Sequence, residues 1–310
     1  LWPASILATG SMRAGLIYRQ LEKLELGLYR RSTRVEAFTK SFLADLTSRG
    51  IPERKIDVVT SGANLELFAP RPRDREIERS LGLEGRFVVG YIGTLGLAHR
   101  LENLLYAAEM LKERPITFLI VGTGAEAVRL RQIAEERQLV NVVFVRRVDK
   151  NECPRYWSVC DAGIVHLRDD DLFRTVIPSK MFEAMAMGLP IIFVGPEGEG
   201  SDLVRKHGLG LVVPPEDPKA LATAVPRLAE DEALRMSCAA NSLAAAPLYS
   251  RDNQARGTLT VLERSVDQYG RRRAHRFRRP LDVFTALTGI AVLSPAALLI
   301  SLLLKLSGSG

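Results

Sequence analysis

Six short apolar runs, each nearly unbroken and most followed by a stretch of helical period, leave this chain few folds to adopt. The runs are residues 87–92, 116–121, 142–145, 163–167, 191–194 and 210–213. Helical patterning lies between them at 101–112, 125–137, 151–160 and 178–188. A strand with one wet face alternates apolar and polar residues, whereas a strand apolar at every position must be covered on both faces. Covered strands alternating with helices imply a parallel sheet, and the right-handed crossover rule then predicts a Rossmann-like domain. The sequence is therefore expected to be α/β, with one complete Rossmann-like domain over 86–228.

Upstream, 17–29 reads as an amphipathic helix with Leu21, Leu24, Leu26 and Leu28 between charges. A strand is expected at 33–39, a helix at 40–49 stopped by Gly50 and Pro52, a strand at 55–60 and a turn at 61–64. These pieces suggest the remnant of a second Rossmann-like domain over 1–70. The apolar pattern lapses near Pro70 to Asp74, so 71–85 reads as a linker. Downstream, 218–229, 231–245 and 251–268 look helical, and 229–268 is expected to pack back on the first domain.

The stretch from Pro178 to Pro190 is the most pointed in the chain. Pro178 suits a first helical turn, Gly188 suits a left-handed C′ position, and Pro190 blocks continuation. The helix start would lie at the carboxyl edge of the sheet, where open α/β folds bind ligands. Free N–H groups near Ser179 and Lys180 suit a phosphate, and Glu183, one turn on, could accept hydrogen bonds from sugar hydroxyls. A plain crossover helix is the competing reading. Gly93-Thr-Leu-Gly96 also ends a strand and would let a diphosphate approach the backbone. Gly122-Thr-Gly124 is similar, and a structural reading is preferred there.

The formal charge of +7 is local: Arg271, Arg272, Arg273, Arg276, Arg278 and Arg279 fall within nine residues, and without them the rest is close to neutral. No nucleic-acid partner is expected from such a distribution. Cys153, Cys160 and Cys238 have no metal-site or disulfide spacing, and no metal is assigned. From Val283 to Leu304 no residue is charged. A straight helix of that length reaches roughly 33 Å, enough to cross a membrane core. Ser294-Pro295 at its centre makes a bent, re-entrant helix an equal expectation. The arginines before it would face anionic head groups on the cytoplasmic side. A start at Leu1 and an end just after this apolar run suggest a piece of a longer protein.

Five motifs then carry a resemblance: Val89-Gly-Tyr-Ile-Gly-Thr-Leu-Gly96, Phe118-Leu-Ile-Val-Gly-Thr-Gly124, Asn141-Val-Val-Phe144, Cys160-Asp-Ala-Gly-Ile-Val165 and the 178–190 stretch. Together they resemble the donor-binding half of GT-B retaining glycosyltransferases, in the group that builds bacterial surface polysaccharides. Residues 56–68 resemble the later part of that family's acceptor domain. The resemblance implies a nucleoside diphosphate sugar as donor, a UDP-sugar being expected. It assigns Glu183 to the ribose, Ser179 and Lys180 to the diphosphate, Gly93, Thr94 and Gly96 to the loop beside the phosphates, and Arg147 to the neighbourhood of the base. The family usually has a glutamate eight residues before the second, where this chain has Thr175. It also often has a basic pair after the first glycine, where this chain has Thr94 and His99. Arg100, Arg174 or Lys180 could balance the leaving diphosphate, and Lys180 is favoured. His99 and Lys180 are the candidates for catalytic roles, although a surface-loop histidine is the preferred reading of His99.

Arg278-Arg-Pro-Leu-Asp-Val-Phe284, Ser294-Pro295 and Lys305-Leu-Ser-Gly308 resemble the start of bacterial polyprenyl-phosphate sugar-1-phosphate transferases. The chain is thus expected to be the centre of a fused enzyme at the cytoplasmic face of the inner membrane, with a lipid-linked saccharide as acceptor. A nucleotide-sugar epimerase and a non-catalytic, membrane-anchored binding module are the rival readings.

Overall fold

A computed structural model of the chain describes residues 3–10 and 12–271. The arginines from Arg272 onward, the apolar run 283–304 and the second resemblance lie outside the described residues, as do Leu1 and Trp2. Among the described residues no helix is long and apolar enough to cross a membrane. The chain divides into two compact units, Leu1–Val261 and Leu262–Gly310; the sheets and the candidate site belong to the first.

That unit begins with helices α1 (Ala4–Ala8) and α2 (Leu16–Arg31), strand β1 (Val35–Ala37), helix α3 (Lys40–Ser48) and strand β2 (Ile56–Val58). β1 and β2 form a small parallel sheet. The leucines of α2 are split, with Leu26 packed against the small core of Val35, Ala37 and Leu46. Leu24 and Leu28 are exposed, while Glu25 is buried because Arg49 reaches it at 3.0 Å from the end of α3. Segment 71–85 contains helix α4 (Arg75–Ser80). Asp74 caps α4, Ile77 and Leu83 join the core, and Arg73 bridges Glu78 at 2.6 Å and Asp161 at 3.0 Å.

The main sheet follows, with strands β3 (Phe87–Ile92), β4 (Ile116–Val121), β5 (Val142–Val145), β6 (Ala162–His166), β7 (Ile191–Val194) and β8 (Gly210–Val213). Their order is β5-β4-β3-β6-β7-β8, all parallel. Helices α5 (Glu102–Met110), α6 (Ala127–Glu136), α7 (Cys153–Ser158), α8 (Ser179–Ala186) and α9 (Glu199–His207) are the intervening crossovers. Helices α10 (Pro218–Glu230), α11 (Glu232–Ala245) and α12 (Arg251–Arg271) close the described chain. Sequence patterning missed α9 because Gly195-Pro-Glu-Gly-Glu-Gly200 opens it and only Leu203 and Val204 supply an apolar face.

Alternate residues of each strand enter different cores. Val88 and Ile92 pack with Trp157, Met181 and Phe182 on one face. Val89 and Tyr91 pack with Leu104, Leu105 and Leu221 on the other. Continuous apolar strands are the consequence of this double covering. Gly90 and Gly163 are direct cross-strand partners on β3 and β6. A Cβ at Gly90 would stand 2.4 Å from Cys160 Sγ, and one at Gly163 would stand 2.8 Å from Ala184 Cβ. The bare backbone lets α7 and α8 settle onto the middle of the sheet.

The strand order reverses between β3 and β6. Chain growth runs outward from β3 to β5 and then restarts at β6 on the other side. The loops at the carboxyl ends of β3 and β6 therefore flank a topological switch point, the usual place for a ligand in an open α/β sheet.

Candidate functional site

Two loops and one helix start meet at this switch point. The loop after β3 carries Gly93 to Gly96 and a short 3₁₀ turn, Leu97–His99. The loop after β6 passes through a second 3₁₀ turn, Asp171–Thr175, and enters α8. Pro178 stands one place earlier than a first-turn proline. Its ψ of 134° is still extended, but its carbonyl accepts the Met181 N–H at 3.0 Å and so starts the helix. At the other end Gly188 has φ 74°, and the Leu189 N–H closes back on the Ala184 carbonyl at 3.0 Å. That is the left-handed stop expected of this glycine.

Lys180, on the first turn of α8, is buried. Its Nζ donates to Tyr91 Oη at 2.6 Å, and Tyr91 Oη donates in turn to the Thr94 carbonyl at 2.7 Å. The ammonium thus holds the β3 loop through one phenol. Burial pushes the Lys180 pKa down to about 7, against a smaller opposing pull from Glu183. The same burial raises the Tyr91 hydroxyl well above its ordinary value, so it remains a donor.

Gly93 and Lys180 occupy adjoining space: a Cβ on Gly93 would meet Lys180 Cε at 3.0 Å and Nζ at 3.3 Å. Gly122 and Gly124 have another reason to be glycine. Added Cβ atoms there would collide with the Gly93 carbonyl at 1.9 Å and the Leu95 carbonyl at 2.2 Å. Hydrogen bonds from Gly93 N to Val121 O and from Leu95 N to Thr123 O, both 2.9 Å, lock the two loops together. Gly96 differs from all of these. Its φ is −115°, and a Cβ there would make only an ordinary contact with Thr94 Cγ2 at 3.7 Å. Thr94, in the same loop, and Ser179, at the start of α8, are exposed.

Glu183 lies one turn further into α8 and is also buried. Its carboxylate accepts from Lys150 Nζ, which comes from the segment after β5 and sits 4.9 Å from the Phe68 ring centroid. Sequence reasoning missed Lys150, since 33 residues separate it from Glu183 and no motif contains both. Arg147 is exposed on that same segment.

His99 is half-buried rather than on the loop surface. Its Nδ1 lies 3.0 Å from the His166 carbonyl, and its ring meets Tyr91 edge-on at 5.9 Å between centroids. Burial, then the charge of Lys180, lowers its pKa to about 3. At neutral pH the ring is therefore uncharged, with Nδ1–H donated to that carbonyl. The two alternative cations are occupied elsewhere. Arg100 pairs with Glu102 at 3.1 Å and Glu216 at 3.3 Å, and Arg174 pairs with Asp171 at 2.9 Å. Thr175 donates its hydroxyl to the Leu172 carbonyl at 2.7 Å. No group of three or more His, Cys, Asp or Glu among the described residues is arranged to hold a metal.

The sequence profile of a family described as glycosyl transferases group 1 matches residues 73–244. The chain is 26% identical over 233 residues to a probable glycosyltransferase, WbjE, of Pseudomonas aeruginosa, covering 74% of this chain and 58% of that protein. It is 32% identical over 231 residues to a D-inositol 3-phosphate glycosyltransferase of a Nocardioides species, covering 68% of this chain and 49% of the relative. The chain spans about half the length of the curated relatives it matches. Among solved structures, Anabaena Alr3699/HepE in complex with UDP superposes with a TM-score of 0.70 at 20% identity, covering 79% of this chain and 68% of that one. At that identity the likeness concerns the fold, an α/β arrangement of GT-B type.

Proposed function

The chain belongs to the glycosyl transferases group 1 family, and from that premise we propose that its β3–β6 switch point binds a nucleoside diphosphate sugar, with UDP as nucleotide. The sugar is then passed to a saccharide or lipid-linked acceptor during assembly of a bacterial surface polysaccharide. One observation carries the reading: a buried lysine on the first turn of α8, lodged beneath Gly93, with a buried carboxylate one turn behind it.

A lone ammonium taken out of water is costly unless an anion joins it. Tyr91 accepts one hydrogen bond from Lys180 but brings no charge. A diphosphate seated between Ser179 and Gly96 would supply the missing negative charge. It would also meet the positive end of α8 and the open backbone at Gly96, where packing within the chain does not require glycine. Glu183 would accept from the ribose hydroxyls, taking over from or sharing with Lys150. Arg147 would lie toward the base.

In the transfer step the bond from the anomeric carbon to the diphosphate oxygen breaks while the acceptor hydroxyl oxygen bonds to that carbon. The diphosphate leaves with the bonding electrons and one of its oxygens takes the proton of the acceptor hydroxyl, while Lys180 with the α8 amides stabilises the charge that develops on it. The rest of the rate would come from holding donor and acceptor together. Neutral His99 would position the β3 loop rather than give up a proton.

The Thr175 hydroxyl is spent inside its own turn and no carboxylate stands there, which favours a second reading, a module that binds nucleotide sugar without transfer. The lipid-linked acceptor, the fused sugar-1-phosphate transferase and a place on the cytoplasmic face of the inner membrane remain proposals from sequence. Calorimetric titration with UDP tests the site: micromolar binding that Glu183→Ala weakens supports it, and equal affinity in the two proteins would remove the assignment. Sugar release from UDP-sugar, measured with and without a lipid-linked acceptor extract, separates transfer from binding alone.

A further inference from the structure

Helix α2 turns more leucine outward than its own fold uses. Its inward side is accounted for by Glu25, buried against Arg49, and by Leu26 and Tyr29, which pack on the small core of Val35, Ala37 and Leu46. Leu16 and Ile17 are 76% and 70% exposed, and Leu24 and Leu28 are exposed as well. Ile17, half-buried Leu21, Leu24 and Leu28 follow one another at spacings of four, three and four, so they form one line along the helix. That line is about 16 Å long. Single exposed leucines are ordinary, whereas a continuous line of them marks a surface that meets a partner.

The charges beside the line say which partner. The acidic side chains of α2 are taken up within the chain: Arg49 reaches Glu22 at 3.2 Å and Glu25 at 3.0 Å. Arg19, Lys23, Arg30 and Arg31 are exposed, and the first three form a second line at spacings of four and seven. Every exposed charge on α2 is thus positive. A second copy docked leucine line to leucine line would set like charges against each other. An anionic lipid surface matches both lines at once, since acyl chains take the leucines and head-group phosphates take the cations. With 16 residues α2 is shorter than a membrane-crossing helix and suited to lie in the head-group layer.

We propose that α2 is an interfacial helix that lays the chain on an anionic bilayer. Ile17, Leu24 and Leu28 dip into the acyl boundary, and Arg19, Lys23, Arg30 and Arg31 rest on lipid phosphates. The contact is distinct from the donor site and from the arginine run downstream, and its test reports on α2 alone.

That test places a dye on the helix in the full chain. Cys153, Cys160 and Cys238 are buried, so a cysteine put in by Leu24→Cys takes an environment-sensitive thiol dye selectively. Val128→Cys, at an exposed apolar position on α6, is the control. The vesicles are phosphatidylcholine with about a quarter phosphatidylglycerol, in versions with and without brominated acyl chains. The dye at position 24 should shift to the blue and be quenched by the brominated lipid, while the dye at 128 stays unchanged. Adding Arg19→Gln and Lys23→Gln should raise the lipid concentration needed for half the signal at least about tenfold, at about fivefold for each cation near an anionic surface. Leu28→Glu should abolish the signal, and because Leu28 is exposed the change does not threaten the fold. UDP affinity should be the same in all these proteins, so this contact stands or falls apart from the donor site. No response at position 24, an equal response at 128, or equal quenching in uncharged phosphatidylcholine vesicles overturns the proposal. So does a blue shift without lipid that accompanies a doubled mass in light scattering, since the leucine line would then seat a second copy.

Discussion

Lys180 lies directly beneath Gly93, and the space a side chain would take at one is filled by the methylene and ammonium of the other. Gly93 also has φ 157°, inside the range that disfavours a Cβ. Gly93→Ala should therefore displace Lys180 and strain the loop together, costing about 1–3 kcal/mol of stability. UDP affinity should fall about tenfold. Chemical denaturation and titration of the same preparation check both; an alanine variant that binds UDP like the parent would show that Lys180 is not held by this loop.

Lys180 should make nucleotide binding depend on pH. Its pKa is lowered by burial to about 7 in the fold, against 10.5 for an ordinary lysine. Between those values the unfolded chain binds more protons, so stability rises with pH there, and the burial cost is felt in full below about pH 7. Lys180→Met should accordingly raise the Tm more at pH 6 than at pH 9. An anion favours the protonated lysine, so UDP affinity should fall as pH rises above about 7, by up to about tenfold per unit. Binding should take up a proton there, seen as a heat that varies with buffer ionisation. A pH-independent affinity would take Lys180 out of the phosphate site.

Glu183→Gln removes a charged acceptor but leaves its partner half in water, since the Lys150 side chain is 52% exposed. Stability should change little. UDP affinity should drop about tenfold to a hundredfold, the worth of hydrogen bonds to a carboxylate. Inorganic pyrophosphate, which has no ribose, should be unaffected. An equal loss for both ligands would mean that Glu183 acts on the phosphate end instead.

His99→Asn should leave the shape of the pH–rate profile unchanged between pH 5 and 8. Burial and the neighbouring Lys180 keep its pKa near 3, far outside that range. A limb of the profile that disappears with the substitution would restore His99 as a proton donor.

The sequence made the sheet legible because double burial writes itself into nearly every strand residue, as in Ile116 to Val121, where Thr117 alone is polar. The α8 boundaries were nearly as plain, because Gly188 and Pro190 act on their own turn. Partners brought together by topology were not legible. Lys150 meets Glu183 only because the segment after β5 comes back over α8, and Thr39 meets Thr175 across 136 residues. Burial of His99 was hidden for a similar reason: its neighbours Tyr91 and His166 lie on two different strands.

The facing glycines of β3 and β6 have a consequence for anyone altering this protein. Gly163 touches no candidate ligand, yet it sets how deeply α8 sinks, because Ala184 already fills the space its side chain would need. One methyl group at Gly163 would act as a shim under the helix, lifting Lys180 and Glu183 together. The reach of both groups is gauged from below the sheet's surface, by atoms that are not there.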